Sequence, residues 1–412
     1  MYSRKRVRTV ENSIIEDEED LKKSRSLPNN DQENENNVCK ISTPTSPVRS
    51  QQSLQCVENV MITPPDEKKS FIKKKKYNQL TARQVELSSL SDEIILMIFQ
   101  YLPQKNLIIC AQVCEKWKRI AYDESLWERI DLACSRLKSD QVAYMLQRNP
   151  KVLRMAQSEF ISPVLKTLPP SVGDLICQVQ YLDLSMAHIT RQDLAKLLSK
   201  CCNLRKLSVE HCVTDIAVCA SIANNSHLQV LNMSQCYLVE REGLEEILLN
   251  CSELKQLNLA WTNLQQDDID TVCKLVNKDI EELNLSGCGK ELLNSNIADL
   301  VSQCKSLIRL DLSDCLSITH AVIDIIINNL DDLQELSLSR CYSIKLPHHY
   351  MKFTAMKSLK YLNLFGIFPK HLEETIKNSI HPIEFNKNKF STIARPTVGI
   401  RRSSIWGQRT HD

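Results

Sequence analysis

Apolar residues recur in a fixed pattern, Leu-x-x-Leu-x-Leu, from residue 179 onward. Eight copies are present, and they begin at Val179, Leu204, Leu228, Leu254, Ile280, Leu307, Leu333 and Leu359. Their middle leucines are 24 to 27 residues apart, within the roughly 20 to 29 residues of leucine-rich repeats. This period predicts an α/β solenoid, in which stacked repeats form a curved parallel sheet with helices outside it. A degenerate ninth copy follows at Ile383–Phe385.

Alternation along each short strand predicts which side chains the concave face displays. The leucines point into the core, and the residues one, three and four places after each middle leucine face the concave side. Most of these are small or polar, and the exceptions are Trp261, Asp314, Arg340 and Phe365. Because exposed tryptophan and arginine often anchor interfaces, we predict a binding role for these residues. For Trp261 the alternative is that it fills a gap between adjacent strands.

A second apolar pattern, at helical spacing, precedes the repeats. It consists of Ile94, Ile95, Ile98, Phe99 and Leu102, and it predicts one apolar helix face. Helix start and stop signals around it predict three short helices over residues 86–132. We assign residues 133–178 to a linker and the first irregular repeats, 179–386 to the leucine-rich repeats, and 387–412 to a C-terminal tail.

The first 85 residues show neither helical nor strand periodicity and are rich in charged residues, Asn, Gln, Ser and Pro. This composition predicts a disordered regulatory arm, because it offers too little apolar surface to bury. Within it, Lys68, Lys69 and Lys73–Lys76 form a basic run. The run is either a nuclear import signal or a solvated surface, so we expect a protein of nucleus and cytoplasm.

Charge and hydropathy exclude several kinds of partner. Lys and Arg number 52 against 50 Asp and Glu, a formal net charge of +2, so no overall field favours nucleic acid. No apolar run approaches the roughly 20 residues of a membrane span. We expect neither a nucleic-acid nor a membrane partner, and function must come from protein-binding surfaces.

The seventeen cysteines are predicted to be reduced structural thiols, since the chain begins without a secretion signal. Two sets recur once per repeat and predict buried ladders rather than metal sites: Cys212, Cys236, Cys288, Cys315 and Cys341 in one, and Cys202, Cys251 and Cys304 in the other. None of the seven glycines builds a phosphate-binding loop, and no His-Glu-x-x-His motif is present. We expect no catalytic residue, metal or cofactor.

The tail leaves the repeat pattern but retains Phe390, Ile393, Ile405 and Trp406 among basic residues. Solenoids need an atypical terminal unit, so the tail could fold back along the concave face and cap the stack. The alternative is a disordered tail.

Two groups of motifs resemble a known family. The segment LSDEIILMIFQYL, with VCEKW and DESLW after it, looks like an F-box. Together with the repeats, with NLSGCGK, LDLSDC and LSLSRCYSI, and with the tail motif FSTIARPTVG followed by IWG, it resembles the F-box/leucine-rich-repeat proteins. The resemblance implies a non-catalytic substrate-recognition subunit of an SCF-type ubiquitin ligase. Such a subunit presents phosphorylated cell-cycle regulators, for example cyclin-dependent kinase inhibitors, for ubiquitination and proteasomal degradation.

The same resemblance implies partners and residues. A Skp-type adaptor, and through it a cullin-RING core, would be bound by Leu90, Ile94, Ile98, Phe99, Cys114, Trp117, Leu126 and Trp127. A Cks-type accessory protein would be held by Trp261, Asp314 and Arg340, with a contribution from the tail around Phe390. Two alternatives remain open: an F-box receptor for an unphosphorylated substrate without the accessory protein, and a repeat scaffold unrelated to ubiquitin.

Overall fold

The computed structural model describes residues 89–165, 177–397 and 404–410. The predicted arm, residues 1–85, and its basic run lie outside the described residues. The described chain begins with a helical unit, residues 89–127, whose elements are the helices Asp92–Phe99, Gln104–Cys110 and Glu115–Ala121 and the 3-10 turn Glu124–Leu126. The first helix begins with Asp92 and Glu93, because carboxylates favour the positive end of the helix dipole. The prediction of three short helices is confirmed.

A parallel sheet of eleven strands follows in the described residues, in the order β1-β3-β5-β6-β7-β8-β9-β10-β11-β12-β13. Strands β2 and β4 form a small separate sheet, and β14 and β15 form an antiparallel hairpin. The strands are β1 Arg129–Asp131, β2 Arg136–Leu137, β3 Val152–Arg154, β4 Glu159–Phe160, β5 Tyr181–Asp183, β6 Lys206–Ser208, β7 Val230–Asn232, β8 Gln256–Asn258, β9 Glu282–Asn284, β10 Arg309–Asp311, β11 Glu335–Ser337, β12 Tyr361–Asn363, β13 Glu384–Phe385, β14 Ser404–Ile405 and β15 Gln408–Arg409.

The register of the sheet places the middle leucines side by side. Leu182 pairs with Leu207, and Leu310 pairs with Leu336. These side chains are 0 to 1% exposed, so they form one continuous core along the stack. The leucine-rich-repeat solenoid predicted from the period is confirmed.

Helices cover the other side of this core, as the repeat pattern predicts. They are Ser139–Gln147, Arg191–Leu198, Ile216–Ala223, Arg241–Asn250, Gln266–Leu275, Asn294–Gln303, Ala321–Ile327, Pro347–Met351 and Lys370–Ser379, with the 3-10 segment Lys352–Ala355. In the described ranges, no helix has both the length and the apolar character that crossing a membrane requires.

The stack begins two strands before the first predicted copy. Strand β1 lies inside the segment assigned to the three helices, and β3 lies inside residues 133–178, which were assigned to a linker and the first irregular repeats. The leucine pattern misses both because other residues replace its first leucine: Trp127 stands three places before Ile130, and Pro150 stands three places before Leu153. Trp127 is thus both the last residue of the helical unit and the first apolar position of the first repeat.

The residues directly after the middle leucines are buried, although some of them face the concave side, where the tail contacts Asn258 and Asn363. Asp183, Ser208, Asn232, Asn258, Asn284, Asp311, Ser337 and Asn363 are at most 7% exposed. Several of them accept a hydrogen bond from a backbone N–H two residues later, as Asn258 Oδ1 does from Ala260 at 3.0 Å. Burial is tolerated because these polar groups are paired within the turn.

Replacing Asp311 with asparagine is expected to stabilise the fold at neutral pH. Burial raises the pKa of Asp311, although the N–H of Ser313 donates to its carboxylate at 2.9 Å and lowers it. A raised carboxyl pKa gives stability that is complete below the unfolded pKa of about 3.9 and is lost as pH rises through the folded pKa. Asparagine would keep the bond to Ser313, as Asn284 does to Ser286.

Urea unfolding of the wild type and Asp311→Asn at pH 5 and pH 7.5 checks this prediction. The stability advantage of the variant should widen as pH rises. The matched control is Asn284→Asp, which should be less stable than the wild type at pH 7.5 and approach it at low pH. An Asp311→Asn variant that is less stable than the wild type at pH 7.5 would contradict the argument.

The cysteine ladders are structural. Cys236 and Cys341 donate Sγ–H to the carbonyls of Val209 and Leu312 in the preceding repeats, both at 3.1 Å. All five members of the first ladder are buried. In the second ladder one assignment was wrong: Cys202 is exposed, and its neighbour Cys201 is the buried residue.

The described part of the tail, residues 387–397 and 404–410, folds back along the concave face from the last repeat to the first. Its polar contacts span the sheet: Asn388 N–H to Asn363 Oδ1 at 3.1 Å, Arg309 to Thr392 Oγ1, Asn258 Nδ2 to the carbonyl of Ile393 at 3.1 Å, and Thr410 Oγ1 to Asp131 Oδ2 at 3.1 Å. Ile393 and Ala394 also pack with Val230 in a small apolar cluster. Of the two predicted states of the tail, the folded-back one is observed.

Candidate functional site

An exposed apolar surface lies on the helical unit. It consists of Ile94, Met97, Ile98, Tyr101, Ile109 and Val113, which are 44 to 87% exposed. Ile94, Met97 and Ile98 are spaced i, i+3 and i+4, so they line one side of the first helix, and Tyr101 follows just beyond its end. Ile95 and Phe99 are 2% exposed and join the core. Exposed apolar groups concentrated in this way mark a protein-interaction site, and we call these six residues the apolar surface.

The predicted adaptor residues divide into three classes in the structure. Exposed are Ile94, Ile98 and Cys114; half-buried are Leu90, Trp117 and Leu126; buried are Phe99 and Trp127. The prediction that Ile94, Ile95, Ile98 and Phe99 share one face was wrong, because Ile95 and Phe99 belong to the core.

The two buried aromatic residues are not accessible to a partner. Phe99 packs edge-on against Trp117, with ring centroids 5.4 Å apart. Trp127 is 2% exposed and donates its indole N–H to the carbonyl of Ala121 at 2.8 Å. Phe99 and Trp127 therefore support the apolar surface from beneath.

Four residues of the apolar surface were not singled out from the sequence, namely Met97, Tyr101, Ile109 and Val113. A signal was available, because the first helix, DEIILMIF, is apolar around most of its circumference. A helix of this kind has more apolar surface than one core can cover, which indicates a second contact.

The helical unit is joined to the first repeat by an arginine packed between aromatic rings. The Arg148 guanidinium lies 4.2 Å from the ring centroid of Tyr122 and 4.6 Å from that of Tyr144. It also donates to the carbonyl of Tyr122 at 3.1 Å. Tyr122 belongs to the helical unit and Tyr144 to the helix of the first repeat, so Arg148 fixes the apolar surface relative to the stack.

On the stack, the residue four places after each middle residue adopts a left-handed backbone. Ten positions of the described chain form this turn row, with φ between +56° and +79°: Cys134, Gln157, Met186, His211, Gln235, Trp261, Gly287, Asp314, Arg340 and Gly366. The N–H of Trp261 donates to the carbonyl of Ser286 in the next repeat at 2.9 Å, and Arg340 does the same to Phe365. These bonds extend the ladder of the sheet and hold the turn row rigidly.

Three of the predicted binding residues stand in the turn row. Arg340 donates from Nε and Nη2 to the two carboxylate oxygens of Asp314, both at 2.5 Å. The hydrogen bonds that Arg340 donates to Asp314 raise the pKa of Arg340, which stays a cation. Trp261 is 51% exposed and its ring lies over Gly287. The Trp261 side chain thus packs on the neighbouring repeat, in agreement with the alternative that it fills a gap between adjacent strands. About half of its surface is still exposed to solvent.

The turn row and the tail enclose a cleft of about 510 Å³. Trp261, Asp314 and Arg340 line one side, and Phe390, which is 71% exposed, lines it from the tail. The fifth predicted residue, Phe365, is half-buried and does not line this cleft.

Two basic residues of the cleft, Lys389 and Arg395, were missed by sequence reasoning. Arg395 lies 3.6 Å from the carboxylate of Glu210, so the contact bridges the tail and the third place of a repeat. Only the path of the tail brings the two sides together. The signal in the sequence was limited to the basic and apolar composition of the tail.

The residues around the cleft can bind a partner, and the buried thiols of the neighbouring repeats are poor nucleophiles. Burial raises the pKa of Cys212, Cys288 and Cys341 to about 12, so these thiols stay protonated and are poor nucleophiles. Among the described residues, no group of three or more His, Cys, Asp or Glu side chains is arranged to hold a metal ion.

Comparison with known families matches two models to this chain. The model described as "SKP2 LRR domain" matches residues 140–412, about two-thirds of the chain, and the model described as "F-box-like" matches residues 87–133. The first match supports the resemblance to S-phase kinase-associated protein 2 that the tail motif carries. The second covers the helical unit and its apolar surface.

Individual relatives are more distant. The chain is 27% identical over 181 residues to F-box/LRR-repeat protein 12 of Homo sapiens, covering 44% of each protein. It is 26% identical over 257 residues to lysine-specific demethylase 2B of Mus musculus, covering 61% of this chain and 16% of that protein. The chain therefore spans less than half the length of these relatives.

Among solved structures, a complex of Rad7 and Elc1 from yeast matches with a TM-score of 0.43 at 16% identity, covering 71% of this chain and 80% of that one. The family models decide the assignment. The chain belongs to the F-box/leucine-rich-repeat proteins, with a repeat domain of the SKP2 type.

Proposed function

We propose that this protein is a substrate-recognition subunit of an SCF-type ubiquitin ligase. The observation that carries the proposal is the apolar surface of the F-box: six large apolar side chains, 44 to 87% exposed, on a unit whose core is otherwise closed. F-box units imply binding to a Skp-type adaptor, which connects them to a cullin-RING core. In this reading the apolar surface is the part that the adaptor covers.

The arrangement of the two surfaces supports a receptor. The apolar surface lies on the helical unit, and the cleft lies on the stack. Arg148 joins the two through Tyr122 and Tyr144. A substrate held at the cleft would be kept in a fixed orientation to the ligase core. In this proposal the protein orients the substrate and does not catalyse ubiquitin transfer, so it is a non-catalytic receptor.

The cleft supports a finer proposal, that a Cks-type accessory protein binds at Trp261, Asp314, Arg340 and Phe390 and completes recognition of phosphorylated cell-cycle regulators such as cyclin-dependent kinase inhibitors. Trp261 supplies exposed aromatic area, which is typical of an interface anchor. The Asp314–Arg340 pair is held by two hydrogen bonds and so presents charge in one geometry. Such a protein would act in the nucleus and cytoplasm and direct its substrates to proteasomal degradation.

The adaptor assignment is tested by Ile94→Asp/Ile98→Asp. Carboxylates on the apolar surface would have to be desolvated in the complex, so affinity for a purified Skp-type adaptor should fall by about 30-fold or more, a cost on the order of 2 kcal/mol. Isothermal titration or co-purification measures it. The thermal unfolding midpoint should change little, because both side chains are exposed.

The matched control is Leu249→Asp, which places the same charge on an apolar side chain that is 65% exposed on a repeat helix. It should bind the adaptor like the wild type. Equal adaptor affinity of the double variant and the wild type would overturn the receptor proposal. The repeat-scaffold alternative would then be preferred.

A further inference from the structure

Glycine occupies two of the ten places in the turn row, Gly287 and Gly366. The backbone does not require it there. Eight other residues, among them tryptophan, methionine and glutamine, adopt the same left-handed conformation at the equivalent places with φ of +56° to +62°. The two glycines must therefore meet another need.

At Gly287 that need is space for Trp261. A Cβ built on Gly287 would lie 2.4 Å from Cδ2, 2.7 Å from Cε2 and 2.8 Å from Cγ of the Trp261 ring. Carbon atoms at van der Waals contact are about 3.5 to 4.0 Å apart. The ring occupies the volume that any larger residue at position 287 would need, so Trp261 lies across the neighbouring repeat only because position 287 has no side chain.

Gly366 stands in the same relation to Arg340. A Cβ there would lie 3.0 Å from Cγ and 3.8 Å from Cδ of Arg340. This contact is softer, since it involves the stem of a flexible side chain. Each glycine thus follows, one repeat later, a large side chain that lines the cleft.

We infer that Gly287 and Gly366 are positioning residues, which set the orientation of Trp261 and Arg340 and so the shape of the cleft that takes the accessory protein. The inference rests on the proposed function for its binding consequence, whereas its geometric part does not. Between the two, Gly287 is expected to matter more, because a Cβ there would overlap three atoms of a rigid ring, whereas the Cβ at position 366 would meet only the flexible stem of Arg340.

The chain offers a control for backbone strain. Gly289 is also left-handed, with φ of +58°, but nothing lies within 4 Å of a Cβ built on it. Gly287→Ala and Gly289→Ala therefore introduce the same kind of backbone cost, on the order of 1 kcal/mol, and only the first creates a collision.

The geometric part is measured without any partner. The protein, purified with its adaptor, is labelled with 5-fluorotryptophan, and the resonance of Trp261 is assigned with Trp261→Phe. In Gly287→Ala the fluorine resonance of Trp261 should shift, while in Gly289→Ala it should keep its wild-type position. An unshifted Trp261 resonance in folded Gly287→Ala would overturn the inference, whatever the protein binds.

The binding part uses a purified Cks-type protein as probe. Gly287→Ala should lose about as much affinity as Trp261→Ala, roughly 30-fold for an interface anchor. The double variant should lose no more than Trp261→Ala alone, because both changes remove the same contact. Gly366→Ala should lose only about threefold, and Gly289→Ala should bind like the wild type. Additive losses in the double variant would contradict a role for Gly287 through Trp261.

If Gly287→Ala fails to fold, Gly287→Asn with Gly289→Asn repeats the comparison, since asparagine tolerates the left-handed region but still has a Cβ. If the wild type does not bind the Cks-type protein while the fluorine shift is present, the proposed accessory site fails and the geometric inference stands.

Discussion

Replacing Trp127 with alanine is expected to lower the free energy of unfolding of the helical unit by about 3 to 5 kcal/mol, as large aromatic-to-alanine changes in cores do. The side chain is 2% exposed, and its removal leaves a cavity between the helical unit and the first repeat. It also leaves the carbonyl of Ala121 without its 2.8 Å indole donor. Urea unfolding monitored by circular dichroism measures the change.

Trp127→Phe serves as the control, because it keeps most of the packing and loses only the hydrogen bond. It should cost about 1 to 1.5 kcal/mol. Adaptor binding should fall in Trp127→Ala only as far as the unit unfolds. If Trp127→Ala reduced adaptor affinity and left the unfolding midpoint unchanged, Trp127 would be a contact residue, and its assignment to the core would be wrong.

Introducing aspartate at Ile393 is expected to detach the tail from the concave face. Ile393 is 2% exposed and packs with Val230 and Ala394, and Trp406 lies against them. Leaving an unpaired charge buried costs about 3 to 5 kcal/mol, so the tail should move into solvent instead of burying the carboxylate. Limited chymotrypsin digestion should then cleave after Trp406 at least about tenfold faster than in the wild type, because a detached segment is accessible to protease.

Phe390→Asp adds the same charge five residues after the last sheet strand, at a side chain that is 71% exposed. The tail should stay docked in this variant, and cleavage by chymotrypsin after Trp406 should be as slow as in the wild type. The pair also separates two roles of the tail, since Phe390→Asp alters the cleft without releasing the segment. Equal digestion rates of the two variants would show that the apolar cluster does not hold the tail.

The sequence predicted the stack well, because the apolar residues that form it recur at short and regular intervals along the chain. Every middle leucine from Leu182 to Leu362 is found in the aligned core, since one spacing of apolar residues decides strand, register and stacking together. The start of the stack was predicted only coarsely. Irregular repeats were expected within residues 133–178, where β3 lies, but β1 was not, because Trp127 and Pro150 replace the first leucine of the pattern while Ile130 and Leu153 keep the packing.

The candidate site was only partly predictable. Trp261, Asp314 and Arg340 were identified because most of the other residues predicted on the concave face are small or polar. The structure brings the three to one cleft. Their companions Phe390, Lys389 and Arg395 reach the cleft because the tail returns across the sheet, and Arg395 meets Glu210, which lies 185 residues earlier in the chain. No pattern of neighbouring residues in the sequence predicts that the tail runs back across the sheet. The buried state of Phe99 was missed for a related reason, because periodicity identifies apolar positions without saying which of two faces becomes the core.

The turn row separates the scaffold from its recognition surface. Its backbone is held by main-chain hydrogen bonds to the next repeat, so the side chain at each of these places contributes little to folding. Residues as different as Cys134, His211 and Arg340 share one conformation. At the eight places without glycine, a change of residue would alter the surface at a cost of about 1 kcal/mol or less, whereas Gly287 and Gly366 leave room for Trp261 and Arg340. At these eight places the row can thus diverge one position at a time, because one side chain per repeat can change while the backbone of the stack stays the same.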